Sequence, residues 1–329
     1  MNISIVGATG MVGTKILELI QEYGITYDNL YLYASNERVN TLVTVNGKKY
    51  YTFALTSENI KNNKSDFALF SAGGNISLEY AKDFVDTGCV VIDNSSAFRM
   101  HDDVPLVVPE VNKEAAFRHQ GIIANPNCST IQAMLPLKAI ENINPIKRVV
   151  YSTYQAVSGS GIKGIRELER TKEGLEPINY ALPIYSNVIP QIDVFLENGF
   201  SKEEMKMILE TSKILGKDIE VSATCVRVPV LNGHSVDIEV ECENEVQISE
   251  VMSALEDLEG IQVRDDIKND VYPYPLEANG NDQVYVGRVR RDLYNKKIVR
   301  LFCVADNIRK GAAANAIQIM QLLGGNPNV

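Results

Sequence analysis

Residues 125–130, NPNCST, gather groups that can do chemistry. A cysteine stands among two asparagines, a proline and two hydroxyl residues, and an apolar run of helical character, IQAMLPLKAI, follows at once. A thiol attacks as its thiolate, and the N–H donors and dipole field at a helix start favour that form. Cys128 is thus a candidate nucleophile, with Pro126 stiffening the entry and Asn127 offering an amide to a developing oxyanion. Spacing alone leaves the choice open between this role and a buried cysteine in a helix cap.

A nucleophilic cysteine needs a proton partner, and the chain has three histidines. His101 in RMHDD and His119 in FRHQG lie in polar stretches that read as surface. His234 follows the turn-like VPVLNG and opens a strand, where a side chain can point into a cleft; a half-exposed loop histidine is the plainer alternative. The other cysteines, Cys89, Cys225, Cys242 and Cys303, stand in or beside strand-like patterns and read as small buried hydrophobes. Five widely spaced cysteines with no CxxC pair support neither a disulfide framework nor a metal site, and a reducing cytoplasm is the expected setting.

A second chemical feature is the loop SIVGATGMVGTKIL, with Gly7, Gly10 and Gly13 between a strand and a helix. Glycine lets a backbone turn sharply and approach a pyrophosphate, which the helix N-terminus then binds. Thr9, Met11 and Val12 lie inside the same loop and count among its cofactor candidates. The next strand ends at Ala34 and Ser35, where an NAD site usually has an acid, and Arg38 follows. A hydroxyl and a guanidinium suit a 2′-phosphate, so NADP is the expected cofactor. Glu37 beside Arg38 keeps a plain surface charge open as the other reading.

These groups need elements to hold them. At 329 residues, two domains are expected. Short apolar strands alternate with helical stretches over the first third, which predicts an α/β domain with a buried parallel sheet. TLVTVNGKKYYTF alternates around Asn-Gly and predicts a hairpin. After about residue 145 the strands lengthen and several alternate apolar with polar, as at Val236, Ile238 and Val240. That pattern predicts a mostly antiparallel sheet covered on one face, with helices near 161–173, 201–215 and 246–258 as candidate covers. The final AAANAIQIMQLL reads as a helix that returns to the first domain. The expected boundaries are 1–126 completed by 306–329, and 127–305.

A net charge of -10 without a basic stripe argues against nucleic acid. No apolar run is long enough to cross a bilayer, and the opening NISIVGA has neither the basic region nor the cleavage site of a signal peptide.

Taken together, GATGMVG, NPNCST, QAVSGSG, VRVPVLNGHS and DNIRKGAAANA resemble the aspartate-β-semialdehyde dehydrogenase family, in the family's order and over nearly the whole chain. The resemblance implies a Rossmann-type first domain and an α+β second domain, as in glyceraldehyde-3-phosphate dehydrogenase. It implies NADPH-dependent reduction of L-aspartyl 4-phosphate to aspartate 4-semialdehyde and phosphate, a step towards lysine, threonine, methionine, isoleucine and diaminopimelate. It makes Cys128 the nucleophile of an acyl-thioester, His234 the general acid/base, Gln155 an orienting group and Arg227 the ligand of the substrate's α-carboxylate. It gives Glu203 to the substrate ammonium, and Lys206 and Arg99 to phosphate. Read by spacing alone, Glu203 and Lys206 are an i,i+3 surface ion pair. Ser71, Ala72, Gly73, Asn94, Ser158, Gly159 and Asn307 match further cofactor positions, although Val39 replaces the small residue often found after the arginine. A homodimer is implied. The nearest alternatives are an N-acetyl-γ-glutamyl-phosphate reductase and a non-catalytic NADP-binding regulator.

Overall fold

The computed structural model describes residues 1–324. The chain forms two compact units, Met1–Pro126 with the segment from Ala312 onward, and Asn127–Gly311.

The first unit is a six-stranded parallel sheet in the order β5-β2-β1-β6-β7-β8. Its strands are β1 (Asn2–Val6), β2 (Asn29–Ala34), β5 (Phe53–Ala54), β6 (Phe67–Phe70), β7 (Val90–Asp93) and β8 (Ile122–Ala124). Helices α1 (Met11–Glu22), α2 (Ser57–Asn62) and α3 (Gly74–Val85) connect them, and α4 (Pro109–Asn112) is a single turn. The expected hairpin is present as β3 (Leu42–Val45) against β4 (Lys48–Tyr51), turning at Asn46 and Gly47, both with positive φ. Strands as apolar as FALF are buried on both faces, as parallel strands between helices must be. The order reverses around β1 and β6, so the loops after these strands open onto one crevice.

The apolar stretch PLVVPE, residues 105–110, is not a strand. It makes only a bridge, Leu106 to Ala124, because Pro105 and Pro109 bracket it and Pro109 begins α4.

The second unit is a six-stranded mixed sheet, β10-β9-β11-β14-β13-β12. In chain order it comprises α5 (Cys128–Glu141), β9 (Ile146–Gln155), α6 (Ile162–Lys172), α7 (Lys202–Leu215), β10 (Glu220–Arg227), β11 (His234–Cys242), α8 (Ile248–Asp257), β12 (Ile261–Val263), α9 (Pro275–Ala278), β13 (Val284–Arg291) and β14 (Ile298–Ala305). The pairs β9–β11, β11–β14 and β13–β14 are antiparallel, whereas β9–β10 and β12–β13 run parallel. The long connection between β9 and β10, which carries α6 and α7, allows the crossover a parallel pair needs. α5 is buried all round, as its unbroken apolar run requires, and packs on β9, β11 and β14 with α7 and α8 beside it. On β11, Val236, Ile238 and Val240 face that layer, while Asp237, Glu239 and Glu241 stand on the more open face.

The closing helix α10 (Asn315–Gly324) returns to the first unit, where Ile317, Ile319 and Met320 join Ile3, Ile5 and Ile16 in one core. The sequence placed this return at 306, but 306–311 stay with the second unit. Asp306 holds them there: its carboxylate accepts N–H bonds from Gly280, Ile308 and Arg309, its backbone carbonyl accepts that of Gly311, and Arg309 is clamped to Asp282.

Candidate active site

Cys128 is the first residue of α5, as the sequence predicts. Asn127 is the N-cap, and its side-chain oxygen accepts from Ser129 N (2.9 Å) and Thr130 N (3.3 Å). The amide expected to serve an oxyanion has another partner, since Asn127 Nδ2 donates to Glu203 Oε1 at 2.8 Å. The Asn127 backbone N–H goes to buried Glu210 Oε2 at 2.7 Å. Two carboxylates of α7 therefore fix the residue before the cysteine. Gly311 lies against the cysteine itself: a Cβ there would stand 2.9 Å from Cys128 Cβ.

Sheet register collects the other groups. Gln155 ends β9 and pairs with Arg227 at the end of parallel β10. His234 begins antiparallel β11 and pairs with Ala305 at the end of β14. Four strands thus bring Gln155, Arg227, His234 and the approach to Asn307 to one edge of the sheet. The 3-10 turn Val157–Ser160 covers that edge, and a Cβ on Gly159 would lie 3.1 Å from Arg227 Nη1 and from His234 Cε1 and Nε2. Arg227 and His234 are therefore side by side beneath Gly159.

His234 is fully buried, contrary to the half-exposed alternative. Its Nδ1 accepts the Ala156 N–H at 3.0 Å, so the neutral ring carries its proton on Nε2. That Nε2 is buried and has no hydrogen-bond partner among the described residues. Burial, then the Arg227 guanidinium, push the imidazole pKa down to about 3 against the pull of Glu203. Arg227 Nη1 donates to Ala156 O at 2.6 Å, and its buried Nε has no such partner. Gln155 Nε2 reaches Thr153 Oγ1 at 3.3 Å.

Glu203 and Lys206 do form the i,i+3 pair (3.0 Å), but Glu203 is buried and Lys206 is further paired with Asp193. Burial would raise the Glu203 pKa, yet Lys206, Asn127 and Arg227 outweigh it and hold the carboxyl at about 2. Ser158 and Asn307 share a hydrogen bond (3.0 Å), and Asn307 also accepts from Gly233 N. The four bland cysteines are buried as expected.

In the first unit, Gly7 turns at φ +85, and its N–H and that of Ala8 both donate to Tyr33 O at 3.0 Å. A Cβ on Gly13 would lie 2.2 Å from Gly7 O, so no larger residue lets α1 start this close to the loop. Thr9 and Gly10 complete the loop, while Met11 and Val12 open the helix behind it. Gly73 (φ +93) similarly precedes α3, next to Ser71 and Ala72. A cleft of about 330 Å3 is lined by Gly7, Ala34, Ser35, Ala72, Ile76 and Glu79, among others. Arg38 folds back over the loop, with Nη1 donating to Thr9 O at 3.1 Å. Asn94 binds Phe70 O and Asn125, and Arg99 is held by the carbonyls of Asn94 and Asn125.

Comparison with known proteins decides the family. Models described as semialdehyde dehydrogenase, NAD binding domain, and semialdehyde dehydrogenase, dimerisation domain, match residues 2–119 and 137–310. Aspartate-semialdehyde dehydrogenases of Aquifex aeolicus and Campylobacter jejuni are 50% and 47% identical, with 98% and 97% of this chain and 97% and 96% of theirs aligned. A solved aspartate semialdehyde dehydrogenase II of Vibrio cholerae, complexed with ASA, has a TM-score of 0.94 at 43% identity, covering 99% of this chain and 98% of that one. The chain belongs to the aspartate-semialdehyde dehydrogenase family. Its first unit is the nicotinamide-dinucleotide-binding module of that family, and its second the dimerisation module. No helix among the described residues is long and apolar enough to cross a membrane.

Several supports of the site in this member of an oxidoreductase family are given no role by the motifs of the sequence. Glu210 and Gly311 carry no motif of their own. Gln132 did carry a signal, as a lone amide in the apolar run after Cys128, one turn further along α5. Its Nε2 donates to the His234 carbonyl at 3.1 Å.

Proposed function

We propose that this chain reduces L-aspartyl 4-phosphate to aspartate 4-semialdehyde and phosphate, or runs the reverse reaction, through an acyl-thioester on Cys128. NADP is the proposed cofactor, and a homodimer in the cytoplasm the proposed form. The observation that carries the reading is His234: a buried neutral ring with an unpartnered Nε2–H, beside Arg227, in the unit that contains Cys128.

The sulfur of Cys128 forms a bond to the acyl carbon, the carbon–oxygen bond to phosphate breaks, and phosphate leaves with the electron pair. When bound, the nicotinamide supplies the hydride. Collapse of the resulting tetrahedral carbon breaks the carbon–sulfur bond, giving aldehyde and free thiolate. Negative charge gathers on the acyl oxygen at both stages, and the His234 Nε2–H is a fixed donor for it. Donation is the role its hydrogen bonds favour. To accept a proton at Nε2 the ring would have to carry its proton on Nδ1, facing the Ala156 N–H. Arg227 grips the α-carboxylate through its planar guanidinium, Glu203 meets the ammonium and Gln155 orients the acyl group. Lys206 and Arg99 serve phosphate.

The fit of the dinucleotide rests on the loop. The space that a Cβ on Gly7 or Gly13 would fill is the space a close backbone–pyrophosphate approach needs. Gly7, Thr9, Gly10, Met11, Val12 and Gly13 would hold the phosphates, Ser35 and Arg38 the 2′-phosphate, and Ser71, Ala72, Gly73, Asn94, Ser158, Gly159 and Asn307 the remainder.

The test is phosphate-dependent reduction of NADP by aspartate semialdehyde. Activity is expected, with loss of roughly a thousandfold or more in Cys128→Ala. Full activity in that variant ends the thioester mechanism, and no activity in the parent ends the substrate assignment.

A further inference from the structure

We propose that Glu167 and Tyr180, neither of which touches the reacting atoms, are positioning residues that fix the Arg227 guanidinium and so set selectivity for a substrate carrying an α-carboxylate. The proposal rests on Arg227 being the carboxylate ligand.

Glu167 on α6 is fully buried without a cationic partner in its hydrogen bonds. Its Oε1 accepts N–H bonds from Ile178 (2.6 Å), Asn179 (2.9 Å) and Tyr180 (3.3 Å), and Oε2 accepts Asn179 Nδ2 (2.9 Å). A carboxylate wrapped by consecutive backbone donors pins a loop in one shape. Burial alone would raise its pKa, but these donors prevail and keep it below the ordinary carboxyl range.

The loop so pinned presents Tyr180. Its hydroxyl bonds Ser160 Oγ at 3.0 Å and stands 2.8 Å from where a Cβ on Gly164 would be, so α6 is open at that one point to receive it. The ring lies against the guanidinium, with Arg227 Cζ 5.8 Å from its centroid. Ile189, later in the same connection, exchanges both backbone hydrogen bonds with Arg227.

The choice of an aromatic ring here has a chemical reason. A carboxylate partner would neutralise Arg227 and occupy its N–H donors. A ring face steadies the cation and leaves those donors for a ligand. Glu167, with its oxygens taken by the loop, leaves the charge of Arg227 intact. The arrangement fixes the plane of the fork while the Nε–H stays without a protein partner.

The experiment compares aspartate semialdehyde with β-aminopropionaldehyde, which lacks the α-carboxylate, in the full-length enzyme. Tyr180→Leu is expected to raise KM for aspartate semialdehyde roughly tenfold, the size of a desolvated cation–π contact, with kcat within about twofold. Its kcat/KM for β-aminopropionaldehyde and its KM for phosphate are expected to stay unchanged. Tyr180→Phe, which keeps the ring, is expected to restore the parent KM. Glu167→Gln, which puts an amide donor against the loop's donors, is expected to reproduce the KM effect in part and serves where Tyr180→Leu does not fold. Equal losses on both aldehydes, or an unchanged KM for aspartate semialdehyde, overturn the proposal. Arg227→Ala separates this from failure of the underlying reading: if it too penalises both aldehydes equally, Arg227 is not the carboxylate ligand.

Discussion

Gln132 Nε2 donates to the backbone carbonyl of His234 at 3.1 Å, and lies near the Cys303 carbonyl at 3.4 Å. Gln132 is four residues beyond Cys128, so both point from one face of α5. The helix that starts at the proposed nucleophile is thus tied to the strand that starts at the proposed donor. A buried hydrogen bond of this kind is worth about 1–3 kcal/mol when one partner is removed. Gln132→Leu, similar in size but without the donor, is expected to lower kcat about tenfold with little change in KM. Steady-state kinetics beside a thermal melt would check it. A fall in melting temperature at unchanged kcat would make the tie structural only.

The state of His234 gives a prediction in pH. Its folded pKa, about 3, lies below the ordinary value of 6.5, so between these values the unfolded chain binds the proton and the folded chain does not. This contribution to stability is complete above 6.5 and is lost as pH falls towards 3. Glu203, lowered from 4.5 to about 2, acts in the same direction, complete above 4.5 and lost as pH falls towards 2. Urea midpoints are therefore expected to fall steadily on acidification below about pH 6.5, and to fall less steeply in His234→Asn. The same variant is expected to lose much of its rate while still forming the thioester, with no imidazole limb disappearing from the pH profile. A limb near 6.5 that vanishes with His234 would restore the ring as a base.

Gly311 gives a steric test at the cysteine. A Cβ there would meet Cys128 Cβ at 2.9 Å and its Cα at 3.3 Å, and a backbone atom has little freedom to yield. Gly311→Ala is expected to displace Cys128 and cut kcat on the order of a hundredfold, the usual cost of an ångström of misplacement. Mass spectrometry of the acyl-enzyme would show slower thioester formation. Parent kinetics in Gly311→Ala would mean that the turn relaxes.

Much of this site was legible because its signals are local. Gly7, Gly10 and Gly13 are spaced by the turn they must make, and Cys128 sits where a polar stretch meets an apolar helix. The alternation at Val236, Ile238 and Val240 gave the covered face of β11. The supports were not legible, because they depend on register and long-range packing. Nothing local to Glu210 says that it receives the Asn127 N–H. Gln155 and Arg227 become neighbours only through the parallel pairing of β9 with β10, which alternation alone does not predict. The half-exposed alternative for His234 came from the turn that precedes it, whereas the turn at Val157–Ser160 covers it.

The proposed preference for NADP rests on the end of β2. Ala34 and Ser35 supply no carboxylate at the strand terminus, and Arg38 in the following turn leans back to Thr9 O. A 2′-phosphate placed there would meet a hydroxyl and a guanidinium, and two free ribose hydroxyls would find no acid to bind them. Glu37 points the other way in charge, so the two residues can be separated by mutation. Arg38→Ala is expected to raise KM for NADP about tenfold or more and leave KM for NAD unchanged, since NAD has no phosphate to lose. Ser35→Asp is expected to go further and reverse the preference, because a carboxylate repels the phosphate and accepts both ribose hydroxyls. Measuring kcat/KM with each cofactor at two salt concentrations would also show the NADP preference shrinking as salt rises, because the Arg38 turn is exposed to solvent. Equal losses with NAD and NADP in Arg38→Ala would assign the arginine to the loop, through Thr9, and not to the phosphate.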